Sequence, residues 1–193
     1  MRSEQVKQTR AALLAAGRRL FGQQGFAATS VEDVAREARV TTGALYHHFP
    51  NKTALFETVF EGVHAEMLEA SARAAAGATD ALEALSLGFE AFLEEVLKSD
   101  VRQILITDAP AVLGLARFTE LDERYAFADI VAALQVATAA GQMSVAEPEI
   151  VARLLLGALV RGGMLIAGSA EPGQTKDAVA KAIRAIISGL AKA

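Results

Sequence analysis

The 193-residue chain contains no cysteine, which excludes a disulfide framework and thiolate metal sites and fits a reducing compartment. Histidine is scarce: there are three, and two of them are adjacent, His47 and His48. Neighbouring residues on a helix point about 100° apart, so one metal ion does not easily take both rings. His64 is not at zinc-ligand spacing from them, and no metal site is expected. The polar N-terminus, MRSEQVKQTR, has no apolar stretch of the signal-peptide kind. The most apolar run, residues 154–170, is interrupted by Arg161 and by glycines, so no bilayer-spanning segment is expected. Alternating apolar–polar runs bounded by turn pairs are missing, so no strand is expected either. G-x-S-x-G, H-E-x-x-H and phosphate-loop motifs are also missing, and an enzyme is not expected.

What is present is apolar and helical. Hydrophobic residues make up 52% of the chain and the mean hydropathy is +0.29. That suits helices buried against each other or against a second subunit. The formal net charge of −4 is unevenly spread. Residues 1–60 carry eight Lys/Arg against five acids, whereas the remainder carries 11 basic and 18 acidic residues. A basic head on an acidic body suggests that the head meets a polyanion.

The head reads as helix, helix, tight turn, short helix, long helix. Val6, Leu13, Leu14, Gly17, Leu20 and Phe21 share one face of the first helix, which stops at residues 22–25, and Phe26 is expected to pack back on that face. In TSVEDVAREA, Ser30 with Asp33, or Thr29 with Glu32, has capping-box spacing, and Val31, Val34, Ala35 and Ala38 form an apolar stripe. Arg39 and Val40 make the turn. Thr41 suits the N-cap of a short helix ending near His47, stopped by Pro50, and Asn51 suits the cap of a long one. Beyond it, alanine- and leucine-rich helices follow, with breaks expected at 77–80, 99–100, 108–110, 118–119, 141–147 and 167–174.

Two short helices joined by a tight turn and braced by a preceding helix describe a helix-turn-helix over residues 30–49, whose second helix enters the major groove. Leu45 and Phe49 face the core, leaving Thr41, Thr42, Gly43, Ala44, His47 and His48 largely outside. Gly43 and Ala44 are small enough to let the helix approach the bases. Thr42 offers a hydroxyl and a methyl to a base edge, while Thr41, Tyr46 and His47 are candidate phosphate donors. Asn51 and Lys52 start the long helix, where free amides and a positive dipole end suit a phosphate and Lys52 adds a charge. The helix start at Thr29 and Ser30 is expected to grip the opposite backbone in the same way.

GFAATSVEDVAREARVTTGALYHHFPNKTALFETVF resembles the TetR family of repressors at Gly25, Phe26, Thr29, Val34, Ala35, Val40, Gly43, Leu45, Tyr46, His48, Phe49, Lys52 and Leu55. Arg39 departs from it, standing where the family usually has glycine; it would be strained if the turn needs a positive φ, and it adds a candidate phosphate contact. DAPAVLG and LDER look like the regulatory region of a subset of the family. The resemblance implies an all-α chain of about nine helices. Residues 1–50 would form the DNA-binding domain (residues 7–67 with the start of helix 4), and residues 51–193 a regulatory and dimerisation domain. It further implies a ligand-relieved repressor that binds a double-stranded DNA operator as a homodimer, pairing through its last two helices. A small, mostly apolar effector, no cofactor, no membrane and a cytoplasmic location complete this expectation. The alternatives are a helical ligand- or protein-binding dimer with impaired DNA binding, and an activator.

For the effector, Met67, Phe89, Phe92, Ile106 and Tyr125 lie on helices expected to surround the family's pocket, with Arg102 and Asp108 as candidate polar groups. Asp108 has a simpler reading as the cap of a helix beginning at Pro110. Arg161 is expected to pair across the dimer interface, to line the pocket, or to reach solvent.

Overall fold

A computed structural model describes residues 2–191, so the outermost ends of the two expected domains, residue 1 and residues 192–193, lie outside it. The first helix, α1 (Arg2–Ala28), buries Leu13, Ala16 and Phe21 and breaks at Gly25, whose φ of 81° and ψ of 167° lie outside helical space. Phe26 then folds back, its ring centroid 5.8 Å from that of Phe21 and 5.2 Å from that of Phe56.

The start of α2 (Val31–Glu37) is fixed by Ser30 and Asp33. The Asp33 amide donates to Ser30 Oγ at 3.0 Å and the Ser30 amide donates to Asp33 Oδ2 at 3.2 Å. The other pairing considered, Thr29 with Glu32, is not used. Its end is a Schellman turn: the Val40 amide reaches the Ala35 carbonyl at 2.9 Å and the Arg39 amide the Arg36 carbonyl at 3.1 Å. This geometry requires a left-handed residue after the cap, and Arg39 takes it with φ 56°, alone among the described non-glycine residues. The strain foreseen for arginine in this turn is present.

Thr41 caps α3 (Thr42–His48), its Oγ1 accepting from the Ala44 amide at 3.1 Å. Asn51 caps α4 (Lys52–Ala75), its Oδ1 accepting from the Ala54 amide at 2.8 Å. Between them Phe49 is extended, as a residue before proline should be. Leu45 and Phe49 are buried at 0% and 3% exposure, each side chain contributing about 1.5–3 kcal/mol of burial.

The body begins with α4 and α5 (Ala81–Val96). A continuous run follows, made of α6 (Ser99–Val101), a π-helical segment (Arg102–Asp108) and α7 (Ala109–Leu113). The last three helices are α8 (Leu115–Ala139), α9 (Pro148–Ala167) and α10 (Pro172–Gly189). Counting the run as one, the described residues form nine helices, and the one strand-like feature among them is an isolated bridge between Met143 and Ala191.

Two expected breaks do not occur. At 108–110 the chain stays helical: the Ala109 amide reaches back to the Ile104 carbonyl in the π pattern, and Pro110, which has no N–H to give, follows inside this widened part of the run. Residues 118–119 lie inside α8, and the break is instead at Gly114, whose φ of 77° and ψ of 154° suit glycine alone.

α4 is shared between head and body, and three polar contacts bind it to α8. Glu57 pairs with Arg117, Glu61 with Arg124 at 3.3 Å, and His64 Nε2 lies 3.2 Å from Asp122 Oδ1. α9 leaves Ile150, Leu154 and Leu165 exposed at 54%, 69% and 48%, with Gly157 and Arg161 on the same face. Contrary to the expectation from residues 154–170, α9 is long and apolar enough to cross a membrane by length and composition. Its other face, including Leu155, Leu159 and Ile166, is buried in the body.

Candidate nucleic-acid interface and effector cavity

The head presents the N-terminal face of α3. Thr42, Gly43, Tyr46 and His47 are exposed, Tyr46 at 51%. A Cβ on Gly43 would meet nothing nearer than Thr41 Oγ1 at 3.9 Å, so the backbone is open on its outer side. Thr41 is exposed, although its hydroxyl already accepts the capping bond. Ala44 and His48 are half-buried, so they contribute at the margin. Arg39 is exposed in the preceding turn. The adjacent rings of His47 and His48 meet edge-on with centroids 5.5 Å apart, and no potential metal-binding group of three side chains occurs among the described residues.

Two of the expected contact residues are turned inward. Thr29 is 1% exposed, and its hydroxyl donates to the Gly25 carbonyl at 2.8 Å, closing the end of α1. Lys52 Nζ donates to the carbonyls of Phe26 and Thr29, both at 2.8 Å, and lies 4.0 Å from the centroid of the Phe26 ring. These carbonyls have left the helix ladder and need donors. Lys52 supplies them, so its ammonium holds the head together instead of standing free for a phosphate. Ser30 is half-buried and committed to its cap; its hydroxyl also donates to Asp33 Oδ2 at 2.5 Å, the first cause holding the Asp33 carboxyl below its ordinary value, and Arg36 adds to it. A residue that the sequence did not single out joins the exposed face: the exposed Arg10 places its guanidinium 5.1 Å from the Phe49 centroid, beside the end of α3. Helical periodicity only marks Arg10 as pointing outward; its neighbour comes from the crossing of α1 and α3.

In the body, a cavity of about 160 Å³ lies between α4, α5, α8 and α9. Its walls are mostly apolar: Leu68 from α4, Phe89 and Phe92 from α5, Ile130 and Ala133 from α8 and Leu159 from α9. Ser71 and Asp129 supply the polar edge, and Asp129 is exposed and makes no salt bridge among the described residues. A wider cleft between α1 and the π-helical run is polar, but its guanidiniums are occupied. Arg18 is held by Glu66 at 2.6 Å and Asp100 at 3.4 Å, Arg19 by Glu37, and Arg102 by main-chain carbonyls.

Of the residues expected to touch the effector, Phe89 and Phe92 line this cavity and the other five do not. Met67 is core, 1% exposed, one position from the lining Leu68. Ile106 packs on Gly163, where a Cβ would lie 2.7 Å from Ile106 Cδ1. Arg102 donates to the Val96 and Leu97 carbonyls at 3.3 and 3.0 Å, covering the end of α5. Tyr125 stacks on His64 with centroids 5.1 Å apart; burial, and then the Glu61 carboxylate, push its phenol up. Asp108 makes no capping bond to α7; its Oδ2 accepts from the Phe26 amide at 2.7 Å. Periodicity finds the inner face of a helix but not which inner residues border a void, because that depends on where three or four helices fail to fill the space between them.

Two family models match the chain. Residues 13–59 match the model described as bacterial regulatory proteins, tetR family, and residues 82–190 the model described as tetracyclin repressor-like, C-terminal domain. The chain belongs to the TetR family. It is a DNA-binding transcriptional regulator. Among solved structures, a TetR-family regulator from Pectobacterium atrosepticum is 31% identical, with a TM-score of 0.88 over 100% of this chain and 98% of that one. Among curated relatives, the Escherichia coli transposon Tn10 TetC protein is 25% identical over 80% of this chain and 78% of its own length. The Mycobacterium tuberculosis repressor KstR2 is 30% identical over 62% of this chain and 60% of its own. RolR in complex with resorcinol, at 16% identity and a TM-score of 0.76 over 95% of this chain and 89% of its own, shares the fold.

Proposed function

We propose that this TetR-family regulator is a cytoplasmic repressor that binds a pseudo-palindromic operator as a homodimer and is released by a small, mostly apolar effector. The observation that carries the reading is the open N-terminal face of α3, with Thr42 and Gly43 at its tip and Tyr46 and His47 along its side. Thr42 is assigned to a base edge and Tyr46, His47, Arg39 and Arg10 to the phosphates. The amides opening α2 and α4 supply further phosphate contacts without Thr29 or Lys52 side chains.

Dimerisation is assigned to the exposed face of α9, Ile150, Leu154, Gly157, Arg161 and Leu165, and to α10, where Ile186 is exposed. An apolar stripe of this length on a water-facing helix calls for a cover, and a second copy of the same face supplies one. Arg161 would then pair across the interface. The effector is assigned to the cavity lined by Phe89 and Phe92. An apolar void of about 150 Å³ accepts a benzene-sized molecule, so a single ring with few substituents fits, of the kind that RolR binds in its resorcinol complex. Asp129 and Ser71 would orient a hydrogen-bond donor at its edge. A coupling of about 3 kcal/mol between effector and operator would change DNA affinity roughly a hundredfold.

Selection of bound duplexes from random DNA tests the reading. The expected product is a pseudo-palindrome with half-sites about 34–36 Å apart, bound more weakly as salt rises. Failure to enrich any sequence overturns it in favour of a helical dimer that no longer reads DNA.

A further inference from the structure

We infer that Asp108 is a positioning residue for DNA recognition, its carboxylate setting the angle at which the body holds the head by gripping the Phe26 amide. This rests on the reading of α3 as the recognition helix. The bond is 2.7 Å long and joins residues 82 positions apart. It exists because α1 breaks at Gly25, with φ 81°, so the Phe26 N–H has left the helix ladder and needs an acceptor. The acceptor comes from the body, at the last residue of the π-helical segment.

The surrounding contacts show a fitted joint. A Cβ on Gly25 would lie 3.0 Å from Gln103 Nε2, and one on Gly22 only 2.6 Å from Asp100 Cβ. Two glycines thus let α1 lie directly on the run that begins at α6. On the head side, the Phe26 carbonyl accepts from Lys52, and its ring meets those of Phe21 and Phe56. Phe26 is therefore held from the body by a carboxylate and from the head by an ammonium, four residues before Ser30, the cap of α2. Displacing it moves the entry to the helix-turn-helix.

On the body side, Ile106 fills the space over Gly163 of α9, one turn beyond Leu159, which lines the cavity. A shift of α9 is felt at Ile106 and, two residues on, at Asp108. The π-helical turn, wider than an α turn and common at functional sites, is where the run absorbs it. α4 is the covalent link between head and body, and α1 also lies on the run at Gly22 and through the Arg18–Asp100 pair. The Asp108 bond is the contact placed nearest the helix-turn-helix, on the peptide where α1 has already broken, so it sets the direction in which the chain leaves α1.

The test compares the wild-type protein, Asp108→Ala and Asp108→Asn on the selected full operator, on a single half-site, and in repeated selection from random DNA. Asparagine keeps an oxygen to accept from Phe26, and alanine does not. Asp108→Ala should lose about tenfold on the full operator while half-site affinity and salt slope stay at wild-type values. Its selected sites should keep the half-site sequence but vary in spacing. Asp108→Asn should restore both affinity and spacing. If Asp108→Ala does not fold, Asp108→Ser, too short to reach Phe26, is read in the same way. Unchanged affinity and spacing overturn the inference, as does equal loss on half-site and full operator without rescue by asparagine. No enrichment by the wild type overturns instead the reading of α3, and this inference with it.

Discussion

The Lys52 ammonium sits over the Phe26 ring, 4.0 Å from its centroid, and donates to the Phe26 carbonyl at 2.8 Å. Hydrogen bonds from a charged donor contribute about 1.5–3 kcal/mol each, and a half-exposed side chain should give the lower end. Lys52→Met, which removes this bond and the one to the Thr29 carbonyl, is therefore expected to destabilise the protein by roughly 3 kcal/mol while leaving the salt slope of DNA binding unchanged. Denaturant unfolding and binding titrations over a salt series measure the two effects. A slope reduced by about one would show that Lys52 contacts a phosphate.

Arg39 holds φ 56° in the Schellman turn between α2 and α3. Left-handed backbone costs a side-chain-bearing residue about 1–2 kcal/mol, and glycine avoids that cost. Arg39→Gly should raise stability by about 1 kcal/mol and weaken binding to all DNA sequences alike through loss of a phosphate contact. A gain in stability with unchanged DNA affinity would remove Arg39 from the interface.

Leu154 is 69% exposed in the middle of the apolar face of α9. Leu154→Glu should place like charges against each other across a symmetric interface and convert the dimer to monomer. Sedimentation would read the mass, and operator affinity should fall with it. A variant that remains dimeric would place the interface elsewhere.

Ala133 lines the cavity of about 160 Å³. Ala133→Phe should fill it, so that phenol and benzylamine no longer raise the melting temperature, while operator binding survives. Before that change, benzylamine is expected to bind more tightly than phenol because Asp129 carries a charge at the edge, and Asp129→Asn should abolish the difference. Equal shifts in the filled variant would place the probes outside this cavity.

Asp33 is held below the ordinary aspartate value of 3.8, chiefly by the Ser30 hydroxyl and then by Arg36. A depressed carboxylate stabilises the fold fully above its unfolded value, and that contribution is lost as pH falls through the lower folded value. Stability should therefore drop as pH falls below 3.8, and less so in Asp33→Asn. Thermal unfolding at a series of acidic pH values distinguishes the two proteins, and identical acid profiles would remove Asp33 from the effect.

Much of the head was legible because its determinants are local. A hydroxyl at Ser30, Thr41 or Asn51's amide can satisfy only amides a few residues ahead, so spacing alone locates the starts of α2, α3 and α4. Leu45 and Phe49, four apart, must share a face, and both are buried. The same local rules went wrong at Asp108 and Pro110, where a capping residue followed by proline suggested a new helix but the run continued.

Sequence by itself determined the all-helical class, the helix-turn-helix and the face that α3 turns outward, since each follows from periodicity and from bonds spanning about one turn. Tertiary structure decided which polar side chains are free. Thr29 and Lys52 have the chemistry of phosphate ligands, yet the break at Gly25 exposes carbonyls that claim them first. It also decided that Asp108, far along the chain, meets Phe26, and that Leu68 borders a void while Met67 does not. These are outcomes of how helices cross, and a crossing depends on the shapes of every side chain between them.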